Sequence, residues 1–413
     1  MRKSISLIVI SGVLTLLSVE LAAQNGTNSP YTRYGYGELA NSSFGAGRSM
    51  GGIGVGLRSS RQINPMNPAS YSCMDSMTFL FDFGASGQIS WYSDGTNSQH
   101  DFNGNVEYMA MQFPILKKRA AMSIGLMPFS HVGYKFGEVK TTEDLTYTES
   151  FEGYGGLNQL FAGLSIELWK KRLSLGANLN YLFGTVTHSA TSVYSIQNST
   201  YVQTTKAIKI KNAALDFGMQ YVHPLSKNDN LIFGLTFSPK TKLGNVTYET
   251  TTSTSVVTDT ISGLAYDLPT RLGFGTSFVR DNKLIVALDA TYQKWSEASF
   301  GGRNDGFNDR LKIAAGAEWI PNFYSRPYLN RMKYRAGINY SNSYIIVKDK
   351  GYNEIGATLG VGFPITDQRS FVNVSFEYVK IRPEVKTMIN ENYFRLTLSY
   401  TFNEFWFFKM KLD

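Results

Sequence analysis

From residue 78 onward, apolar and polar residues alternate along the chain with a period of two. The first such stretch has Phe79 and Trp91 at odd positions and Asp82 and Gln88 at even ones. Successive side chains of a strand point to opposite faces, so this pattern predicts a strand with one apolar and one polar face. The alternation recurs, and we expect strands at 78–92, 104–116, 120–132, 156–168, 173–186, 207–222, 231–244, 267–279, 284–298, 309–320, 332–345, 352–364, 371–381 and 391–402.

The predicted connections between these strands alternate between short and long. Three short ones follow the second, fourth and eighth strands, at 117–119, 169–172 and 280–283. Long, polar ones rich in Ser and Thr follow the third, fifth and seventh strands, at 133–155, 187–206 and 245–266. An even number of such strands with alternating connections is typical of an outer-membrane barrel. We therefore expect an all-β protein, a 14-stranded antiparallel transmembrane β-barrel over 78–402.

The N-terminus and the composition agree with export to the outer membrane. Arg2 and Lys3 precede a mostly apolar run and the small residues Ala22 and Ala23, which predicts a cleavable signal peptide over 1–23. After residue 24 no apolar run reaches the ~18 residues of a transmembrane helix, so a helical membrane protein is excluded. The 27 Phe and 25 Tyr, with only 17% charged residues, suit a barrel with aromatic belts.

A glycine-rich stretch, 45–69, precedes the first strand and ends in Asn64-Pro65-Met66-Asn67-Pro68-Ala69. Its glycines disfavour a helix, and its prolines impose extended or turn geometry on the residues before them. We expect 24–77 to form an irregular plug, or hatch, inside the barrel; the alternative is a glycine-rich surface loop. At the other end, 403–413 is an aromatic tail that either anchors at the membrane interface or docks on a periplasmic partner.

Several motifs resemble the FadL-type outer-membrane transporters of long-chain fatty acids and hydrocarbons (OmpP1/FadL/TodX-like). Asn67-Pro68-Ala69 resembles the family's hatch motif, and the segment from Leu268-Pro269 to Trp295-Ser296 resembles its characteristic hairpin. The stretches 335–340 and 392–395 are similar to further family strands, the latter to the Bacteroidetes branch. The resemblance implies fourteen strands around a hatch and passive transport of a hydrophobic small molecule or lipid. The tail at 403–413 departs from the family pattern.

The third strand carries a candidate lateral gate at Gly125, Pro128 and Phe129. Proline has no N–H to donate, so strand pairing is interrupted at Pro128. In the resembled family a kink in this strand opens the wall, which lets apolar cargo move sideways into the membrane. The alternative is that the strand simply ends near the outer rim.

Period-two parity places both signs of charge in the lumen, at Asp82, Asp216, Arg271, Asp289, Arg335, Glu377 and Arg395. Because buried unpaired charges are costly, we expect these residues to pair with one another and with Arg48, Arg58 and Arg61 of the hatch. A second interpretation is that an arginine meets the carboxylate of a fatty acid. The second strand leaves its facing ambiguous, so Glu107 carries no assignment.

The sequence offers no catalytic, metal or cofactor motif. Its four histidines lack metal-ligand spacing, and Ser130-His131 is adjacent in sequence without a base–orienter pair. Nucleic acid is not an expected partner of an exported barrel. Two hypotheses remain. The first is passive transport with lateral exit. The alternative is a FadL-like scaffold barrel in a larger outer-membrane assembly, such as secretion or barrel-insertion machinery, with the tail as the contact to other proteins.

Overall fold

Fourteen antiparallel strands close into a barrel in the computed structural model, as predicted. The structure describes residues 26–405 except 117–118, 143–144, 170–171, 195–200, 282, 348, 366–368 and 386; the predicted signal peptide and residues 406–413 of the predicted tail lie outside this range. Numbered in chain order, the barrel strands are β1 Thr78–Ser93, β2 Ser98–Leu116, β3 Ala120–Thr142, β4 Leu145–Leu168, β5 Leu173–Tyr194, β6 Tyr201–Pro224, β7 Asp229–Ser238, β8 Arg271–Arg280, β9 Leu284–Gln293, β10 Arg310–Trp319, β11 Lys333–Asn342, β12 Tyr352–Pro364, β13 Phe371–Pro383 and β14 Asn390–Phe405.

Each strand pairs with its neighbours in sequence, and β14 pairs with β1 to complete the ring. Because the strand number is even, Thr78 and Phe405 lie at the same edge, which we call the terminal edge. The opposite edge, where β3 and β4 join, is called the hairpin edge. The last strand reaches Phe405, so the first three residues of the predicted tail continue the barrel wall.

The two faces of the wall differ as the alternation predicts. On β1 the outward side chains Phe83, Ile89 and Trp91 are exposed, whereas Asp82 and Gln88 are fully buried. Similar exposed apolar side chains occur on the other barrel strands. An apolar outer face and a polar inner face are what a barrel needs in lipid.

The predicted long loops are largely strands instead. β3 to β6 run far past their predicted ends toward the hairpin edge, through much of 133–155 and 187–206. The third region, 245–266, forms a hairpin of Asn245–Thr252 and Val256–Ile261 that pairs with β6. The loop prediction was wrong because these stretches, rich in Thr, Tyr and Val, favour strands even where neither face needs to be apolar.

Residues 26–77, which we call the N-terminal segment, lie against the inner face of the wall. The segment contains the 3-10 turns Pro30–Arg33 and Pro68–Cys73, the short strand Glu38–Leu39 and a helical turn at Gly45–Arg48. Its residues approach inward-facing glycines on opposite sides of the ring, so it occupies the lumen. No helix in the described part of the chain is long and apolar enough to cross a membrane.

Candidate functional site

Neighbouring strands β2 and β3 pair along only part of their length. Their ladder runs from Leu116↔Ala120 at the terminal edge to Met109↔Leu126. Beyond that point β2 continues with β1 as its partner, and β3 continues with β4. Within the described residues no ladder joins β2 to β3 between there and the hairpin edge, and we call these two edges, 98–108 and 127–142, the seam.

The predicted gate residues lie where the seam begins. The register between β3 and β4 shifts between Pro128 and Ser130, so Phe129 lies in a bulge. Pro128 lacks the N–H that a continuous ladder would use. Gly125 lies just below, where an added Cβ would come within 2.7 Å of both Ala110 and Phe161. The structure thus groups the three residues at the start of the seam; their gating role stays a prediction.

Glycines in the next two strands bend the wall at the same height. Gly155 and Gly156 of β4 have φ of +105° and +146°, and Gly184 of β5 has +155°. Side chains disfavour these conformations, so glycine is needed for such a bend. Gly156 pairs with His131, and Gly184 pairs with Leu157. The bulge at Phe129 and these glycines therefore form one continuous bend across β3, β4 and β5.

The N-terminal segment fills the seam. The backbone N–H of Ala40 donates to the Phe129 carbonyl at 3.0 Å, and Leu39 pairs with Ser130. The Thr32 hydroxyl accepts from the Gly133 N–H at 3.1 Å and contacts the Gly133 carbonyl at 3.0 Å. Residues 38–40 thus take the place of a partner strand at the start of the seam, and the Thr32 side chain bonds the next part of β3.

The segment also reaches the β2 side of the seam. The Asn105 side-chain amide donates to the Gly26 carbonyl at 2.9 Å. An added Cβ at Gly26 would press on His131 of β3 and on Asn105 of β2. The start of the described chain is therefore held between the two unpaired edges.

Deeper in the lumen, buried charges anchor the segment. Arg48 and Glu107 form an ion pair at 2.9 Å, with side chains 2% and 6% exposed. Arg58 pairs with Glu167, also at 2.9 Å. Sequence parity missed Glu107 because the register shifts between Gly84 and Ala85 of the adjoining strand, so both Glu107 and its neighbour are buried.

Asp289 holds the glycine-rich stretch by its backbone. Its carboxylate accepts the N–H groups of Gly54 at 2.6 Å, Val55 at 2.7 Å and Gly56 at 3.1 Å. Asp289 itself is 4% exposed. We expected a charge partner for this residue; backbone donors play that part instead, as they stabilise a buried carboxylate equally well.

The hatch motif forms the last anchor. Asn67 caps the 3-10 turn by accepting from the Ala69 N–H, and Pro68 occupies the first position of that turn. The Asn67 amide donates to the Val55 carbonyl at 2.8 Å. Glycines at 176 and 218 in the wall leave room for this turn.

The remaining predicted lumen charges are partnered by groups of the wall, and Arg395 also pairs with Glu38 of the N-terminal segment at 3.4 Å. Asp82 accepts from Tyr108 and Thr401, Arg271 pairs with Asp216 at 3.0 Å, Arg335 pairs with Glu318 at 2.7 Å, and Arg395 pairs with Glu377 at 3.1 Å. The structure therefore favours structural pairing for these residues, and any contact with a cargo stays a prediction. Arg61 of the segment lies against the ring of Phe323 at 4.8 Å.

Two small cavities flank residues 38–41 of the segment. One, of about 150 Å³, is bordered by Met127 and Phe129 of the seam and by Leu182, Asp216 and Arg271. That volume is similar to an apolar cavity that holds one benzene molecule. The other, of about 80 Å³, is bordered by titratable residues, namely Glu38, Glu107, His131, Arg310, Lys312, Glu354, Glu377 and Arg395.

Aromatic side chains cover these cavities toward the hairpin edge, and sequence reasoning missed their grouping. The rings of Trp295 and Tyr344 lie 4.5 Å apart at an angle of 36°, and Tyr36 of the segment contacts both Trp295 and Phe300. The Tyr344 hydroxyl donates to the Gly37 carbonyl. Burial raises the pKa of the Tyr36 phenol well above its usual value, so it stays a neutral hydrogen-bond donor.

The arrangement suits holding a segment or a small molecule. In the part of the chain that the structure describes, no group of His, Cys, Asp and Glu is placed to hold a metal ion. What the site provides is an interrupted wall, an internal segment that fills the interruption and a cavity of mixed polarity beside it.

Known structures share this fold. The toluene transporter TbuX of Ralstonia pickettii is 14% identical, with a TM-score of 0.59 over 87% of this chain and 98% of that one. The Pseudomonas putida toluene transporter TodX (14%, TM-score 0.60, 89% and 100%) and a Pseudomonas aeruginosa FadL homologue (14%, 0.60, 89% and 99%) are similarly alike. At this identity the likeness shows the fold alone. The comparison with curated proteins gives no match. A family model described as BamG matches residues 1–413.

Proposed function

The chain belongs to the BamG family, and we propose that it acts in the outer membrane as a plugged, FadL-type barrel subunit of a barrel-assembly (Bam) machinery. The observation that carries this proposal is the family match, which extends over residues 1–413. The name BamG points to that machinery, and the predicted signal peptide and apolar outer face suit the outer membrane.

The contacts of the lumen support a structural role. The N-terminal segment is held by two buried ion pairs and by the Asp289 carboxylate. A segment anchored in this way keeps the lumen filled, because releasing it exposes unpaired charges inside the lumen. A filled barrel is suited to bind neighbouring proteins from its rim while its wall faces lipid.

Depletion of the protein in its own cells tests this proposal. We expect newly made outer-membrane barrels to accumulate unfolded, which is measured as the folded fraction on unheated gels. Re-expression of the intact chain is the control and restores the folded fraction. Unchanged folding of outer-membrane barrels after full depletion contradicts the proposal.

A second candidate, passive passage of small hydrophobic molecules, rests on the seam. The unpaired edge of β3 borders the cavity of about 150 Å³ through Met127 and Phe129. A molecule in that cavity leaves sideways into the membrane if residues 26–40 move away. The predicted cargo class is a long-chain fatty acid or a similar apolar compound, of which this cavity holds only a benzene-sized part, and the route needs no cofactor.

Proteoliposome uptake of labelled long-chain fatty acid tests the second candidate. In a Cys73→Ser background, Leu39→Cys with Ser130→Cys joins two paired positions and locks the seam. The second candidate predicts uptake that falls to the level of empty liposomes on oxidation and returns on reduction. Uptake no faster than in empty liposomes before oxidation rejects it.

A further inference from the structure

One connection at the terminal edge is unlike the others. The described turns there are short, such as 225–228 after β6, whereas 320–332 between β10 and β11 is long. We call 320–332 the long turn. Outer-membrane barrels have short turns on the periplasmic side, and the short turns here lie at the terminal edge. The terminal edge is therefore assigned to the periplasm, and the long turn projects from the periplasmic rim.

The long turn is fixed by its own hydrogen bonds. The backbone N–H of Asn322 donates to the Asn330 carbonyl at 2.8 Å, and the Asn330 amide donates to the Ser325 hydroxyl at 3.2 Å. A 3-10 turn at Tyr328–Arg331 completes it. Little entropy is therefore lost when a partner contacts it, which favours binding.

Buried contacts tie the long turn to the lumen mouth. Phe323 is 7% exposed, packs with Ile320 and Phe371, and lies under the Arg61 guanidinium of the N-terminal segment. The Tyr328 hydroxyl donates to the Pro364 carbonyl of β12 at 3.0 Å. The turn is thus positioned both by the wall and by the segment inside it.

Between these contacts the turn exposes an aromatic side chain. Tyr324 is 83% exposed, the highest value among the large hydrophobic side chains of the described residues. Its ring lies edge-on to Phe323 at 5.3 Å, and Arg326 beside it is exposed. Tyrosine and arginine dominate the energetics of protein interfaces. Contact between Phe323 and Arg61 places Tyr324 near the mouth rather than on the lipid-facing wall.

The charge of the surrounding rim indicates the kind of partner. Exposed basic residues are distributed around the described terminal edge, at Arg119, Arg172, Lys227, Lys283 and Arg326. Exposed acidic residues there are fewer, at Asp75 and Asp281. Like-charge contacts are unfavourable across an interface, so this rim suits a negatively charged surface.

We propose that the long turn, through Tyr324 and Arg326, docks an acidic periplasmic protein domain. This inference rests on the proposed function and specifies the side of the barrel from which the assembly is built. Tyr324 supplies an aromatic side chain that the partner covers on docking, and Arg326 with the basic rim supplies charge complementarity.

In-cell photocrosslinking tests the inference. The full-length chain carries a photoreactive phenylalanine analogue at position 324 or, as the control, at Tyr248, an exposed tyrosine near the hairpin edge. We expect the 324 probe to crosslink one exported protein with a net negative periplasmic domain, and the 248 probe not to. Arg326→Glu is expected to lower that yield at least fivefold, whereas Arg326→Lys keeps most of it.

Three results would overturn the inference: crosslinks to lipid alone, no crosslink at 324, or a yield that Arg326→Glu leaves unchanged. Gel mobility before and after heating confirms that each variant is folded. Co-purification distinguishes a failure of the docking surface from a failure of the proposed function. If other machinery subunits co-purify equally with the intact chain and with a Tyr324→Ala/Arg326→Glu variant, the docking surface is wrong and the proposed function stands. If the intact chain itself purifies alone, the proposed function fails.

Discussion

The junction of β14 with β1 and the junction of β2 with β3 close the wall in different ways. β14 and β1 pair from Asn390↔Ser93 at the hairpin edge to Phe405↔Thr78 at the terminal edge. β2 and β3 separate above Met109 and Leu126, and residues 32–40 bond to the unpaired edge of β3 between Phe129 and Gly133. At the first junction the strands satisfy each other's backbone groups, and at the start of the second an internal segment does so.

The N-terminal segment makes two kinds of contact, one at the seam and one deeper in the lumen. At the seam its contacts are mainly hydrogen bonds, such as those with Phe129 and Gly133, and its one ion pair there in the described residues, Glu38 with Arg395 at 3.4 Å, is partly exposed. In the deeper lumen they include the buried pair of Arg48 and Glu107. Breaking a buried pair is far more costly than losing one neutral hydrogen bond. We therefore expect residues 26–40 to leave the seam while the deeper anchors hold.

The largest effect is expected from breaking the deep ion pair. Arg48→Met leaves Glu107 charged and buried, which should destabilise the barrel by about 3–5 kcal/mol. Replacing both residues, as Arg48→Met with Glu107→Gln, should cost clearly less because no lone charge remains. Urea unfolding in detergent, followed by gel mobility, measures both. Equal losses in the single and double variants would contradict this account of the anchor.

The second-largest loss of stability is expected from Asp289→Ala. It leaves the N–H groups of Gly54, Val55 and Gly56 without their acceptor, at about 1–3 kcal/mol for each donor that finds no other partner. The glycine-rich stretch should then become sensitive to protease. Asp289→Asn keeps an acceptor oxygen and should lose much less. Protease resistance of Asp289→Ala equal to that of the unmodified chain would show that the carboxylate is dispensable.

The third-largest loss of stability is expected from added side-chain volume on the inner face of the wall. A Cβ at Gly337 of β11 would collide with the backbone of Met50 and Gly51, so Gly337→Ala should cost about 1–3 kcal/mol. Gly104→Ala on β2 is the matched control, since a Cβ there meets nothing closer than 3.9 Å. Unfolding midpoints measure the pair, and similar shifts for both would mean that the segment does not pack against β11.

The smallest change in global stability is expected from a substitution at the seam. Thr32→Val removes the hydroxyl contacts with Gly133 and should change global stability by only about 1 kcal/mol. Hydrogen exchange should nevertheless become faster in peptides that cover 129–136, while β14 stays protected. If exchange accelerates equally in both places, the seam is no weaker than the closure.

The sequence predicted the barrel well and its internal contacts poorly. Lipid requires an apolar outer face, so period-two alternation identified fourteen strands and their order. It did not identify the extensions of β3 to β6, because strands outside lipid need no apolar face. Nor could it reveal that Arg48 meets Glu107, since the bulge beside Gly84 disturbs the parity on which facing assignments depend.

Native mass spectrometry of the protein, extracted gently from its own outer membrane, tests the central claim most directly. We predict a stable complex with other envelope proteins, including subunits of the barrel-assembly machinery. The same preparation truncated after Phe405 tests the predicted tail without removing paired residues of β14. A barrel that is isolated alone, carrying a hydrophobic small molecule, would contradict the account and favour passage through the seam.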